Sequence, residues 1–323
     1  MSTTTPIMKC IDHIVIRVDD TNFSTLFSLL YDTFQLPVAW PVLVQPSFKS
    51  GGIFAGNINL EIIRYGPPQN VLTSTTSSDA RLFSIVFELA SPTESLHELT
   101  KRRIPHTPAL SYIQPEAEAG DKKIVMWKSV ILGNLLGNSP LANLFIALTK
   151  LVPSHAFENA SSRETFGGSS LASKLMERAF SNGIIYTVEY NREFVDVDAW
   201  DATNKEALNN RQGGPLGLIS VKEVIIGAAD FEGSRKRWQN LLAPTPEDAP
   251  GLWPLGDGPA IHLVPYDRDA ILALILKVAS LEKAKAFLAE KGLLGTTSEQ
   301  EIRIAPEKIC GLDVRLVGNN QSA

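Results

Sequence analysis

The stretch IDHIVIRVDD, Ile11 to Asp20, decides the fold, because it returns in the second half of the chain as VKEVIIGAAD, Val221 to Asp230. The two stretches align without gaps. Each is a strand-like apolar run that stops at an acidic residue and leads into a helical pattern. A second pair, SIVFELASPTESLHELTKRRI from Ser84 and ALILKVASLEKAKAFLAEKGL from Ala273, aligns in the same way. The chain is therefore predicted to contain an internal duplication.

Each of the four repeated segments predicts a β-α-β-β-β unit. In the first unit, three short apolar runs follow the helical pattern: PVAWPVLV, GGIFAG and INLEIIRY. Proline and glycine separate these runs, as is typical of short strands joined by turns. The sequence thus predicts an α+β fold made of tandem βαβββ modules.

The modules are expected to form two domains. We place the first domain at residues 8–192, a linker at 193–215 and the second domain at 216–318, because the glycine-rich RQGGPLG follows a polar helical stretch. The second unit carries an insertion at about 114–183, with two predicted helices, at about Leu141–Leu151 and at Ser170–Phe180. The apolar stretch Val130–Val152 is interrupted by glycine, asparagine and proline, so we expect no membrane span there.

Composition narrows the class of partner. The chain of 323 residues has a net charge of −5 without long runs of like charge, so it lacks the basic surface that nucleic-acid binding requires. Two cysteines are too few for a disulfide framework or a cysteine-based zinc site, and we expect a cytoplasmic protein. A small-molecule partner fits this composition best.

Three short motifs stand in order along the first half: DHIVIRVDD, GNINLEII and YTVEY. A paired βαβββ unit, with DH near the start of its first strand and LE in its last, resembles the glyoxalase and bleomycin-resistance superfamily, also called the vicinal oxygen chelate superfamily. The first half is most similar to the glyoxalase-like domains of that superfamily. The resemblance covers nearly the whole chain. It implies four modules in all, paired into two cup-shaped mixed sheets with helices on the outside.

The resemblance also implies a ligand or a divalent metal on the concave face of the sheet. The family's four metal positions, on the first and last strands of two paired units, correspond here to His13, Glu61, Ser84 and Glu189. Serine is a poor ligand, so the implied metal ligands are His13, Glu61 and Glu189. Glu61 and Glu189 are also the implied catalytic carboxylates. One imidazole and two carboxylates suit zinc, iron, manganese or nickel.

Strand alternation predicts which side chains face this cup. Along the first strand, His13 should share a face with Ile11, Val15 and Arg17. The opposite face should be purely apolar, with Ile14, Ile16 and Val18. His13 and Arg17 are therefore expected to point into the cup.

The two carboxylates are each expected on the more polar face of their strand. Glu61 should project with Asn59, and Glu189 with Thr187 and Ile185. The substrate-binding candidates are Arg17, Asn59 and Ser84. A structural role stays open for each residue, since His13 can be a hydrogen-bonded core histidine, Glu61 can pair with Arg17, and Glu189 can lie at a solvated edge.

The second half presents a weaker set of candidates. Glu223 aligns with His13, His262 with Glu61 and Ala273 with Ser84, so the histidine and the glutamate are exchanged. With Arg315 or Asp313 near the last strand, this cup offers few ligands, and Glu223 and His262 are expected to form a structural polar pair. An alternative arrangement pairs the first and third units and collects His13, Glu61, Glu223 and His262, a set that resembles glyoxalase I.

Two functions follow from the resemblance. The first is a divalent-metal-dependent enzyme, a lyase or isomerase, in which the metal polarises the oxygens of a small substrate and a carboxylate acts as general base. Ring cleavage by dioxygen is disfavoured because the first cup has a single histidine. The alternative is a metal-free protein that binds or sequesters small molecules in a cup lined by aromatic residues: Trp40, Trp127, Tyr186 and Tyr190. In either case the inserted helices would form a lid or a homodimer contact.

Overall fold

The computed structural model describes residues 5–45, 48–65, 79–115, 123–137, 139–151 and 178–319. The described strands form two curled mixed sheets. The first has the order β2-β3-β4-β1-β5-β8-β7-β6. Its strands are β1 Met8–Arg17, β2 Val38–Gln45, β3 Phe48–Phe54, β4 Asn59–Tyr65, β5 Arg81–Leu89, β6 Leu110–Pro115, β7 Lys123–Leu132 and β8 Ile184–Tyr190.

The second sheet has the order β10-β11-β9-β12-β15-β14-β13. Its strands are β9 Leu218–Ala228, β10 Leu252–Trp253, β11 Ala260–Pro265, β12 Ala270–Val278, β13 Leu294–Thr297, β14 Glu301–Ile304 and β15 Asp313–Gly318. The helices of the described chain are α1 Asp20–Ser28, α2 Pro92–Lys101, α3 Pro140–Thr149, α4 Val197–Asn210, α5 Phe231–Leu242 and α6 Leu281–Glu290. Short helical turns lie at Leu29–Thr33 and Pro306–Lys308.

Both sheets have the same internal pattern. In the first, β1 pairs in parallel with β4 and β5 pairs in parallel with β8, while β1 and β5 pair with each other in antiparallel fashion. In the second, β9, β11, β12 and β15 repeat this arrangement. The predicted fold of paired βαβββ modules is thereby confirmed. Units one and two share one sheet and units three and four the other, so the alternative pairing of the first and third units does not occur.

The third unit departs from the prediction, because two strands rather than three follow its helix and β10 has only two residues. The segment after α5 contains five prolines: Pro244, Pro246, Pro250, Pro254 and Pro259. Proline has no backbone N–H to donate to a sheet ladder. These prolines disfavour a further strand in this segment, and the second sheet has one strand fewer than the first.

The insertion also differs from its expected limits. Strand β7 lies inside the expected range 114–183, so the inserted chain runs between Leu132 and Ile184. The helix predicted at Leu141–Leu151 is α3, which starts after Ser139, whose hydroxyl accepts a hydrogen bond from the backbone N–H of Ala142. The helix predicted at Ser170–Phe180 falls mostly outside the described residues. No described helix combines the length and apolar character needed to cross a bilayer.

A single hydrophobic core joins the two sheets. Back-face residues of the first sheet, such as Ile14 and Phe87, belong to the same cluster as Val224 and Leu274 of the second. The aromatic ring of Trp238, on α5, contacts the ring of Phe87, with centroids 6.4 Å apart. The helices of one half thus pack on the other half, and each cup faces away from the shared core.

Candidate functional site

A β-bulge in β1 shapes the first cup. Ile11 pairs with Phe87 and His13 with Val86 on β5, which leaves Asp12 as an extra residue on β1. The bulge interrupts the alternation of side chains. Ile11 therefore packs in the shared core rather than beside His13, which corrects the expectation from strict alternation, and Asp12 faces the cup together with His13.

The polar side chains of the first cup form one hydrogen-bonded group, which we call the His13 cluster. It consists of Asp12, His13, Ser50, Glu61, Tyr186 and Tyr190. The Nδ1 of His13 lies 2.5 Å from the Oδ1 of Asp12, and its Nε2 lies 3.4 Å from the Oε2 of Glu61. The hydroxyl of Ser50 donates to the other oxygen of Glu61 over 2.5 Å.

Two tyrosines complete this cluster from β8. The phenol of Tyr190 donates to the Oδ1 of Asp12 over 3.0 Å, and the phenol oxygen of Tyr186 lies 3.3 Å from the Nε2 of His13. Both phenol pKa values are raised well above their usual value, by burial first and then by the nearby carboxylates. Both phenols therefore stay protonated. Tyr190 donates to Asp12, whereas the oxygen of Tyr186 accepts from the Nε2–H of the charged His13.

The His13 cluster favours the charged imidazole. Burial lowers the pKa of His13, but the hydrogen bonds to Asp12 and Glu61 outweigh burial and raise it to about 9. His13 is consequently an imidazolium at neutral pH, held between two acceptors. Within the His13 cluster, the two carboxylates and the imidazolium together carry one net negative charge.

Beside the cluster, the cup has an apolar floor and aromatic walls. The floor consists of Val15, Ile63, Val86 and Val188, all buried. The walls packed on this floor are Phe48, Tyr65, Trp127, Tyr186 and Tyr190. Trp40, on β2, adds an edge-to-face contact with the His13 ring, with centroids 6.0 Å apart.

Glu189 lies on the other face of the sheet. Along β8, Tyr186, Val188 and Tyr190 face the cup, and Ile185 belongs to the shared core behind it. Because strand side chains alternate, Glu189 shares the face of Ile185. The structure therefore does not bring Glu189 together with His13 and Glu61, and a tyrosine faces the cup on either side of it.

The expected substrate-binding residues all lie on the cup face. Ser84 pairs with Val15 across β1 and β5, and its buried hydroxyl has no hydrogen-bond partner in the described chain. Asn59 pairs with His13, and its buried Oδ1 is likewise without a partner. The guanidinium of Arg17 lies over the rings of Tyr65 and Phe83, at 5.7 and 5.4 Å from their centroids.

The second cup carries the exchanged pair. The Nδ1 of His262 lies 2.9 Å from the Oε2 of Glu223, and Lys222 lies 2.8 Å from the other oxygen of that carboxylate. The hydrogen bond from His262 lowers the pKa of Glu223 to about 2. Glu223 and His262 lie in a different sheet from His13 and Glu61, so the four residues form two separate pairs.

These side chains do not fit a resident metal well. In the part of the chain that the structure describes, no three histidine, cysteine, aspartate or glutamate side chains are grouped to hold an ion. Structural and catalytic metals in proteins are usually held by at least three protein ligands. Here Glu189 faces away, Ser84 supplies only a hydroxyl, and His13 is held as a charged donor.

Sequence reasoning missed Asp12 and Ser50, and it assigned the tyrosines of β8 only as aromatic lining. A signal for Asp12 was present, because two consecutive polar residues interrupt the apolar run CIDHIVI. Two adjacent polar side chains on a half-buried strand can reach the same face only if the strand bulges. The contact of Ser50 with Glu61 depends on the pairing of β3 with β4 and has no local signal.

Comparison with known proteins gives the fold. No family model and no curated protein matches the sequence. Among solved structures, homoprotocatechuate 2,3-dioxygenase from Arthrobacter globiformis is 10% identical, with a TM-score of 0.53 over 99% of this chain and 82% of that one. The 2,3-dioxygenase LapB from Pseudomonas sp. KL28 is 9% identical, with a TM-score of 0.51 over 98% of this chain and 94% of that one.

A third similar structure is a hypothetical protein from Staphylococcus aureus. It is 9% identical, with a TM-score of 0.50 over 95% of this chain and 98% of that one. The matches span both sheets and extend over most of each neighbour. At this level of identity they show a common fold, and the chain therefore shares its paired βαβββ fold with these proteins.

Proposed function

We propose that this protein binds a small organic molecule in its first cup without a resident metal. The observation that carries the proposal is the His13 cluster, in which the Nδ1 of the charged imidazole contacts Asp12 and its Nε2 lies nearest Glu61 and Tyr186. A metal ligand must be a neutral imidazole that offers a lone pair. An ion at the Nε2 of His13 would have to displace its proton, and it would find one further carboxylate, Glu61, beside it.

The lining of the cup indicates the class of ligand. An apolar floor with Trp40, Tyr65 and Tyr186 around it suits a flat ring, which can stack on or pack edge-to-face against these side chains. The Ser84 hydroxyl and the Asn59 carbonyl, which lack partners in the described chain, can each bond a polar substituent. The ligand we propose is a small aromatic molecule with hydroxyl or amino substituents.

A metal-dependent enzyme of the lyase or isomerase type is the second candidate. It is favoured by the closeness of the His13 Nε2 and the Glu61 Oε2, which lie 3.4 Å apart and belong to the two residues that would hold a divalent ion. Asp12 would then orient the imidazole through its Nδ1, as carboxylates do beside metal-bound histidines. The ion would polarise the oxygens of a substrate. Two of the similar structures are 2,3-dioxygenases, which favours an enzyme, but the described donor set supports a metal-dependent enzyme less well.

Metal analysis and ligand binding separate the two candidates. We expect the protein purified without chelators to contain far less than one equivalent of zinc, iron, manganese or nickel, and His13→Ala to leave this content unchanged. One equivalent that is lost in His13→Ala would favour the enzyme. In ligand-observed NMR with substituted phenols and anilines, we expect binding that Trp40→Ala weakens and that Tyr266→Ala, in the second half, leaves unchanged.

A further inference from the structure

The second cup has its own chemistry, which differs from that of the first. Its face carries the pair His262 and Glu223 on one side and a group of charged residues on the other. That group, which we call the Arg303 cluster, consists of Glu301, Arg303, Asp313 and Arg315, on β14 and β15. The two groups lie in one sheet and on the same face, as the strand pairing shows.

Strand register places the two groups on either side of a floor. His262 pairs with Ile225, Ile225 with Ala273, and Ala273 with Asp313, so these residues form one row across four strands. In the next row Glu223 pairs with Ile275 and Ile275 with Arg315, and Arg315 pairs with Arg303. At about 4.8 Å between strands, the Cα atoms of Glu223 and Arg315 are roughly 10 Å apart.

The floor between the groups is apolar. Ala273 and Ile275 are buried, and Ile225 is half-buried. The neighbouring side chains Val224 and Leu274 point the other way, into the shared core. The second cup therefore offers a short apolar surface bounded by an imidazole on one side and by guanidinium groups on the other.

The Arg303 cluster holds two guanidinium groups side by side. Arg303 and Arg315 are directly opposite each other on β14 and β15, and like charges in this position repel. Asp313 offsets this repulsion. It accepts from the Nε of Arg303 over 2.8 Å and from the Nε and Nη2 of Arg315 over 3.1 and 2.8 Å.

The two arginines differ in which of their guanidinium N–H groups have partners. The remaining Nη1 of Arg315 lies 3.8 Å from Glu301, whereas Arg303 uses only its Nε. Its Nη1 and Nη2 have no partner in the described part of the chain, and its side chain is 39% exposed. Asp313 thus holds the guanidinium of Arg303 in place, while the edge formed by its Nη1 and Nη2 is open to the cup. That edge is the part of arginine that binds a carboxylate through two parallel hydrogen bonds.

His262 supplies a second open polar atom. Its Nδ1 is engaged by Glu223, and its Nε2 has no partner among the described residues. We propose that the second cup binds a small organic carboxylate, with the carboxylate on the Nη1 and Nη2 of Arg303, the carbon skeleton over Ala273 and Ile275, and a polar substituent on the Nε2 of His262. This site is separate from the one proposed in the first cup.

The proposal is tested with 4-hydroxybenzoate and its neutral amide, 4-hydroxybenzamide, by titration of the full chain monitored by NMR. The two probes have the same ring and hydroxyl, and only the first carries the anionic group. We expect 4-hydroxybenzoate to bind at least tenfold more tightly, because hydrogen bonds to a charged acceptor are the stronger ones. We expect the shifted backbone signals to lie on β11, β12, β14 and β15.

Variants then assign the contacts. Arg303→Gln should weaken 4-hydroxybenzoate binding about tenfold, and Arg303→Lys should restore only part of it, because lysine keeps the charge but loses the paired N–H geometry. His262→Gln tests the proposed contact between the polar substituent of the ligand and the Nε2 of His262. Lys285→Gln, on α6, is the control for loss of one positive charge, and His13→Gln is the control for the first cup. Neither control should change the binding that is read from the signals of β11, β12, β14 and β15.

Three results would overturn the proposal: equal affinity for the acid and the amide, unchanged affinity in both Arg303 variants, or shifts confined to the first cup. Circular dichroism verifies that each variant is folded. Since Arg303→Lys keeps the ion pair with Asp313, it keeps the test valid if Arg303→Gln fails to fold. Failure here leaves the first-cup proposal untouched, because that proposal rests on different residues and is tested by Trp40→Ala.

Discussion

Tyr190 donates its phenol hydrogen to the same Oδ1 of Asp12 that the His13 Nδ1 contacts, so one carboxylate oxygen joins β8 to β1. The preceding residue, Glu189, points to the opposite face of the sheet. The first cup is therefore closed on this side by a phenol rather than by a carboxylate. The first cup therefore lacks the Glu189 carboxylate, which was the third member of the expected ligand set.

Stability should depend on pH through His13. Its pKa is about 9 in the folded protein against an ordinary 6.5, so its contribution is fully present below pH 6.5 and is lost as the pH rises through 9. We expect the free energy of unfolding to fall by about 3 kcal/mol across this window. Urea titrations from pH 6 to 9.5 measure the change.

His13→Gln is the matched variant for that measurement. It should be less stable than the natural chain at pH 6, and its free energy of unfolding should depend much less on pH between 6.5 and 9. His262→Gln should keep the pH dependence of the natural chain. Equal slopes for the natural chain and His13→Gln would show that the imidazole of His13 does not gain its charge from folding.

The carboxylates on β4 and β8 should differ in their effect on His13. Glu61→Gln should lower the pKa of His13, because it removes a charged acceptor from the imidazolium. Glu189→Gln should leave it unchanged, because Glu189 lies on the other face. An NMR titration that follows a ring proton of His13 measures its pKa in both variants. A comparable shift in Glu189→Gln would place that carboxylate in the cup.

The phenol of Tyr190 should contribute to stability through Asp12. Tyr190→Phe removes one hydrogen bond to a buried carboxylate and should cost on the order of 1–2 kcal/mol. Tyr186→Phe should cost less, since its oxygen lies 3.3 Å from the His13 Nε2, which also has Glu61 as an acceptor. Chemical denaturation at pH 7 gives both values, and the opposite order would contradict this account of the His13 cluster.

The two halves should unfold together because they share one core. Asn57, in the turn between β3 and β4, binds the second half through three hydrogen bonds. Its Nδ2 donates to the carbonyls of Val221 and Asp257 over 3.0 Å each, and its Oδ1 accepts from the N–H of Val221 over 2.9 Å.

Asn57→Ala should therefore destabilise the whole chain by roughly 2–3 kcal/mol while leaving a single transition. Asn209→Ala, at an exposed position of α4, is the control and should change stability by less than about 0.5 kcal/mol. Tryptophan fluorescence and circular dichroism should give coincident curves for both variants. Two separate transitions in the natural chain would show that the halves unfold independently.

The sequence by itself determined the architecture. The gapless match of Ile11–Asp20 to Val221–Asp230 predicts repeated units, and the alternation of apolar residues predicts which strand faces are buried. These signals are local in the chain, because a strand that buries one face must carry apolar residues at every second position. The resemblance to the superfamily, together with strand alternation, also placed His13, Glu61, Asn59 and Ser84 on one concave face.

Only the tertiary structure decided what the first cup contains. A bulge is a property of a strand pair, so the turn of Asp12 toward His13 and of Ile11 away from it depends on how β5 pairs with β1. The face on which Glu189 lies depends in the same way on the docking of β8. Alternation shows that Glu189 and Tyr190 point to opposite sides, but burial against β5 and β1 decides that Tyr190 is the residue facing the cup.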